Sequence, residues 1–147
     1  MYLCDVKIFQ YMQTLNGKAT AILDTLVEMI KEHGQVKIDR SNGLFLPVTV
    51  QEIFYTDSYK IYSVSHSRIQ EGILFCFPEM NFIKNIKEGT YITSYFRQDG
   101  HIGYLGREQE SAFLVGDEIQ INDIKLHADH TRIGTIFLLM IKQQQKI

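Results

Sequence analysis

Apolar residues recur at three- and four-residue steps between Gly17 and His33. Ala19, Ile22, Leu23, Leu26, Val27 and Ile30 fall on one stripe, and Asp24, Glu28, Lys31 and Glu32 take the opposite side. This period predicts an amphipathic helix packed against a core. Asn16 is placed to cap its start, Gly34 to supply a left-handed residue after its end, and Lys31 sits near the negative end of the helix dipole. The preceding segment, Val6 to Leu15, reads equally as a short strand (Val6, Ile8, Gln10, Met12) or as a helical turn.

After Gly34 the period changes to two. Gln35 to Asp39, the turn Ser41-Asn42-Gly43, and Leu46, Val48 and Val50 alternating with Pro47, Thr49 and Gln51 predict a hairpin. Pro47 has no N–H for a ladder, so its strand is expected at an edge or Pro47 at a bulge. Further strands are predicted at Glu52 to Thr56, Tyr59 to His66, Gly72 to Phe77, Asn81 to Ile83, Tyr91 to Phe96, His101 to Leu105, Ser111 to Val115 and Glu118 to Ile121. Turn dipeptides such as Asp57-Ser58, Glu71-Gly72, Glu88-Gly89, Asp99-Gly100 and Gly116-Asp117 separate most of them. Connections this short favour antiparallel neighbours, because a parallel crossover needs a dozen or more residues. From Asp123 onward, His130, Ile133, Phe137, Met140 and Gln144 recur at helical steps; a final strand through Thr135 to Ile141 is the competing reading. The pattern as a whole predicts an α+β fold. One domain spans 1–147, with an antiparallel, largely meander sheet of about five to seven strands packed by an N-terminal and a C-terminal helix.

Composition supports an ordinary globular chain of one domain's size: 147 residues, 45% apolar, 22% charged and 12% aromatic. The net charge of −2 gives no long-range pull toward phosphate backbones or anionic membranes. Two cysteines, Cys4 and Cys76, make neither a disulfide framework nor a metal-ligand spacing, which points to a reducing, cytoplasmic setting. Cys76 lies between Phe75 and Phe77 and reads as core packing. The first residues lack the pattern of a signal peptide, and the apolar run from Ile136 to Ile141 is far below the ~20 residues that span a bilayer. Neither secretion nor membrane association is expected.

Polar signatures gather at the strand ends of the block from Gly43 to Glu110. Leu46-Pro47-Val48, Ile61-Tyr62-Ser63-Val64-Ser65-His66, Gln70-Glu71-Gly72, Pro78-Glu79-Met80-Asn81-Phe82 and Phe96-Arg97-Gln98-Asp99 stand in an order and spacing that resembles a family of small uncharacterised domains from bacterial plasmids, phages and conjugative transposons. The resemblance covers half to two thirds of the chain. It departs from the family at Phe77, which stands where an aspartate is usual, and at Gly100 to Gly106, which looks like an insertion. It implies an accessory gene of a mobile element acting in a bacterial cytoplasm, and brings no activity with it.

Candidate chemistry within the block rests on His66, Glu71, Glu79 and Asp99. A histidine among carboxylates can serve as general acid or base in a small hydrolase or nuclease-like enzyme. The plainer reading gives each a structural use, with His66 bonded to the Glu71-Gly72 turn and Glu79 accepting from turn amides. Glu79 could instead pair with Arg68 or Arg97 in a cleft. Asp123, His127 and His130 have helical metal-ligand spacing without a further ligand, so they are expected to be ordinary surface residues; His33 and His101 need no special explanation. No phosphate loop, dinucleotide fingerprint, zinc-protease helix motif or nucleophile elbow is present, and no metal or cofactor is expected. The leading expectation is a non-catalytic domain that binds a protein partner or itself, because eleven aromatics (Phe45, Phe54, Tyr55, Tyr59, Tyr62, Phe75, Phe77, Phe82, Tyr91, Tyr95, Phe96) exceed what one modest core needs. Single-stranded nucleic acid bound through Lys84, Lys87, Arg97 and Arg107 is a weaker expectation.

Overall fold

A computed structural model describes residues 11–99 and 107–147. Helix α1 (Gly17–Glu28) leads into a 3-10 turn (Glu32–Gly34) and then β1 (Gln35–Ile38), β2 (Val48–Tyr55), β3 (Tyr59–Gln70), β4 (Ile73–Asn85), β5 (Thr90–Gln98), β6 (Arg107–Glu110), β7 (Ala112–Val115) and β8 (Glu118–Ile121). Helix α2 (Ile124–Gln145) follows. Strands β1 to β6 form one antiparallel meander in sequence order, and β7 pairs with β8 in a separate two-stranded sheet. The α+β architecture, the two helices and the antiparallel order are as the pattern predicts. The strand expected at 101–105 lies outside the described residues.

The α1 start is fixed locally: Asn16 Oδ1 accepts a hydrogen bond from the Ala19 amide at 2.8 Å. Its end comes earlier than predicted. Met29 and Ile30 donate to the carbonyls of Leu26 and Val27, three residues back, which tightens and stops the helix. Gly34 then belongs to the following turn, beside His33, whose φ is also positive. Pro47 is neither in an edge strand nor at a bulge. It precedes β2, where its missing donor matters to no ladder, and β2 lies between β1 and β3. Two pairs of predicted strands join. The runs on either side of Gln51 form β2, with its register shifted between Glu52 and Phe54, and those on either side of Pro78 form β4, with Phe77 and Pro78 unpaired in a bulge.

Both helices cover one face of the sheet. Leu15, Ala19, Ile22, Leu23 and Leu26 pack with Val48, Val50, Tyr62, Val64, Met80, Phe82, Tyr91 and Phe96 from the strands and with Phe137, Leu138 and Ile141 from α2. Tyr91 reinforces this layer by donating its hydroxyl to Asp24 Oδ1 at 2.7 Å. The opposite face has a smaller apolar cluster, where Ile83, Ile92 and Ala112 pack with Met12, Tyr59, Ile61, Leu114, Ile119 and Ile121. The β7–β8 hairpin thus lies over the part of that face near Tyr59, Ile83 and Ile92.

The inner side of α2 carries polar residues as well as apolar ones. His127, His130 and Gln145 are 0%, 1% and 0% exposed, so the expectation of surface histidines is corrected. Each holds an irregular stretch of backbone or its flank. His127 Nε2 accepts from the Gln13 amide at 2.9 Å, and His130 Nδ1 lies 2.9 Å from Ser111 Oγ. Gln145 accepts from the Arg40 amide at 2.7 Å and donates to the Leu46 carbonyl at 3.2 Å. Buried polar groups are stable when they find such partners. Asp123 caps α2 by accepting from the Leu126 amide at 3.0 Å.

Candidate functional site

The four residues singled out in the sequence do not meet in one site. His66 is buried on the helix-facing side of β3, paired in register with Val48, and its ring stands edge-on to Phe137 with centroids 5.2 Å apart. Its Nε2 has no hydrogen-bond partner among the described residues, and burial pushes its pKa below the ordinary histidine value. Glu79 is opposite Ser65 in the register and so projects from the other face; it accepts from Ser63 Oγ at 3.3 Å. Glu71 occupies the exposed tip of the β3–β4 hairpin, with φ 53°. His66 therefore makes no bond to the Glu71-Gly72 turn.

Asp99 has a clear structural task. Its carboxylate accepts from Arg97 at both oxygens (3.1 Å from Nε, 2.9 Å from Nη2) and from the Cys76 amide at 3.0 Å, while its own amide donates to the Cys76 carbonyl at 2.9 Å. This arrangement continues the β4–β5 pairing past the bulge at Pro78. Burial acts to raise the Asp99 pKa, but the bonds from Arg97 and Cys76 and the guanidinium charge outweigh it and hold the carboxyl below its usual value. Glu79 is opposite Arg97 in the register, and Arg97 is opposite Glu108. Tyr95, on the same outer face, has its hydroxyl pKa raised by burial, then by a hydrogen bond to Glu108 and that carboxylate's charge. The Cys76 thiol is also pushed up, chiefly by burial, which agrees with core packing and not with a reactive nucleophile.

Two of the basic residues considered for nucleic acid, Lys84 and Arg97, lie on opposite faces of the sheet. Lys84 faces α1, 3.9 Å from Asp24 and 5.5 Å from the centroid of the Tyr91 ring, whereas Arg97 is bound to Asp99 on the other face. Among the described residues, no three His, Cys, Asp or Glu are gathered closely enough to hold a metal ion. Of the aromatics, Tyr62, Phe82, Tyr91 and Phe96 are taken up by the core, and Phe45, Phe54 and Tyr55 are exposed.

Two features emerge that the sequence pattern did not single out. The first is an arm. Pairing of β3 with β2 stops at His66 and pairing of β4 with β5 stops at Glu79, so beyond the Cys76–Asp99 bonds no further strand pairs with the β3–β4 hairpin among the described residues. Ile69, Ile73 and Leu74 on this arm are 74%, 58% and 51% exposed. Near its root, Phe75 and Phe77 stack with centroids 6.2 Å apart and the Arg68 guanidinium lies 5.3 Å from the Phe77 centroid. The signal was the apolar flanks of the Glu71-Gly72 turn. How far the hairpin overhangs depends on where β2 and β5 end.

The second feature is a groove of about 310 Å³ at the opposite end of the sheet, between its outer face and the β7–β8 hairpin. Ile83, Ile92, Met12, Tyr59 and Ile119 give it an apolar lining, and Glu88, Asp117 and Glu118 stand around it. Nothing in the local sequence announces it, because its walls come from segments far apart in the chain.

A family model described as "Domain of unknown function (DUF6908)" matches residues 18–147, a wider span than the block that carried the resemblance. No curated protein and no solved structure matches the chain.

Proposed function

Because the chain belongs to the DUF6908 family of domains of unknown function, whose description assigns no activity, we propose a role that rests on its own geometry. It is a non-catalytic interaction domain that self-associates through the β3–β4 arm. The observation that carries this reading is the overhanging pair of strands with Ile69, Ile73 and Leu74 more than half exposed. A two-stranded hairpin is marginal in water, and its free N–H and C=O groups are a template for another strand. A second copy offers the same edge, and a two-fold antiparallel pairing is self-complementary. Centred between Ile69 and Gln70, such a pairing brings Arg68 of one copy toward Glu71 of the other.

The hydrolase or nuclease-like reading has less support, since His66 and Glu79 project to opposite faces and Asp99 is occupied by Arg97 and Cys76. The mobile-element and cytoplasmic setting implied by the resemblance belongs to the same proposal. Neighbouring genes for conjugation or replication would support it.

Sedimentation velocity over micromolar to millimolar concentrations tests the reading. The expected result is a concentration-dependent dimer that Ile69→Lys and Leu74→Lys abolish while leaving the unfolding midpoint almost unchanged, because both side chains lie outside the core. A wild-type chain that stays monomeric throughout, or a dimer indifferent to both substitutions, refutes it.

A further inference from the structure

We propose that the groove between the outer face of the sheet and the β7–β8 hairpin binds a small organic cation with an apolar body, of the arylalkyl-ammonium class. This site lies at the far end of the sheet from the arm and is independent of it. Its floor includes the cross-strand pair Ile83 and Ile92, which are 1% and 3% exposed. Met12, Tyr59 and Ile119 add further apolar lining, so the interior holds water poorly and rewards an apolar ligand.

Among the described residues the charged groups around this floor have one sign, and its other polar residues, Thr14, Asn85, Thr90 and Gln120, are neutral. Glu88 comes from the β4–β5 turn, Asp117 from the β7–β8 turn and Glu118 from the start of β8, so carboxylates approach from two separate hairpins. Among the described residues, none of the three is in an ion pair and no lysine or arginine lines the groove. Lys87 lies in the adjoining hollow, which also contains Asp57 and Asp117. The complement of an apolar floor under a negative rim is an apolar body with a positive end. A volume of about 310 Å³ is at the small end for ligand pockets, which favours a compact molecule over a peptide segment.

The probe is phenethylammonium, with phenethyl alcohol and phenylacetate as neutral and anionic molecules of the same body. Binding is followed by protein-observed NMR on the isoleucine methyls. The cation is expected to shift Ile83, Ile92 and Ile119, to bind more tightly than the alcohol, and to weaken as salt is added; phenylacetate is expected to be weakest. Asp117→Asn and Glu118→Gln should each weaken the cation about 3-fold, a size typical of one exposed charge, and leave the alcohol unaffected. Both side chains are exposed, so unchanged spectra of the free variants serve as the folding control. Phenylacetate binding as tightly as the cation, a cation indifferent to both substitutions, or no shift at the three isoleucines with millimolar phenethylammonium would overturn the assignment.

Discussion

Gly134 offers a quantitative test of how α2 sits on the sheet. A helix-interior glycine costs about 1 kcal/mol relative to alanine, so Gly134→Ala should stabilise an isolated helix by that amount. Here an added Cβ would lie 2.8 Å from Thr93 Cγ2, 3.2 Å from Phe82 Cε1 and 3.5 Å from Met80 Cε. Thr93 is fully buried and β-branched, and its Oγ1 is 3.3 Å from Thr131 Oγ1, so rotating its methyl away sacrifices that contact. Overpacking of this kind costs about 1–3 kcal/mol. The balance predicts a net loss of about 1 kcal/mol, or a Tm lower by roughly 3 °C at this chain length. Thr93→Ser removes the offending methyl but keeps the hydroxyl, and alone costs about 1 kcal/mol of burial. In that background Gly134→Ala should turn neutral or stabilising, giving a coupling of at least about 1 kcal/mol. Urea unfolding of the four proteins measures it, with constant m values as the check on two-state behaviour. A Gly134→Ala protein more stable than wild type, or additivity within about 0.4 kcal/mol, would refute the close approach of helix and sheet.

Acid should destabilise the fold through its buried histidines. Burial lowers the pKa of His66, His127 and His130, so the unfolded chain binds more protons once the pH falls below about 6.5. The stability these groups contribute is complete above that pH and is lost as the pH falls toward their depressed folded values, at up to about 1.4 kcal/mol per pH unit for each histidine still neutral. Urea midpoints that do not change between pH 7.5 and 5.5, at buffered ionic strength, would contradict this; His127→Gln should lessen the slope. Asp99→Asn tests the structural assignment of that carboxylate. It should cost about 1 kcal/mol and speed hydrogen exchange at the Cys76 amide, and unchanged exchange there would show that the clamp does not hold the strand end.

Local chemistry explains which parts of the fold were legible. Asn16 needs only the amide of Ala19, so the helix start could be read, whereas the early stop depends on carbonyl pairing three residues back at Met29 and Ile30. Alternation located the strands but not their continuity, because a bulge lets β4 pass through Pro78, where no donor is required. The stripe through His130, Ile133 and Phe137 was legible, but what satisfies the buried polar groups of His127, His130 and Gln145 was beyond local pattern. Their partners, Gln13, Ser111, Arg40 and Leu46, stand 19 to 114 positions away in the chain.

The same distinction separates the candidate sites. A polar residue at a strand end has two uses: it can complete the hydrogen bonding of an interrupted ladder or meet a ligand. Asp99 is committed to the first, holding Arg97 and the Cys76 amide together at the bulge. Glu79 accepts from Ser63 and is opposite Arg97 across the ladder. Among the residues left without such tasks are two groups at the two ends of the sheet: Ile69, Ile73 and Leu74 on the arm, and Glu88, Asp117 and Glu118 about the groove. Exposed apolar edges favour another chain, while an apolar floor with a charged rim favours a small molecule of opposite sign. The two surfaces therefore call for different partners, and substitutions at one should leave binding at the other unchanged unless they move the sheet between them.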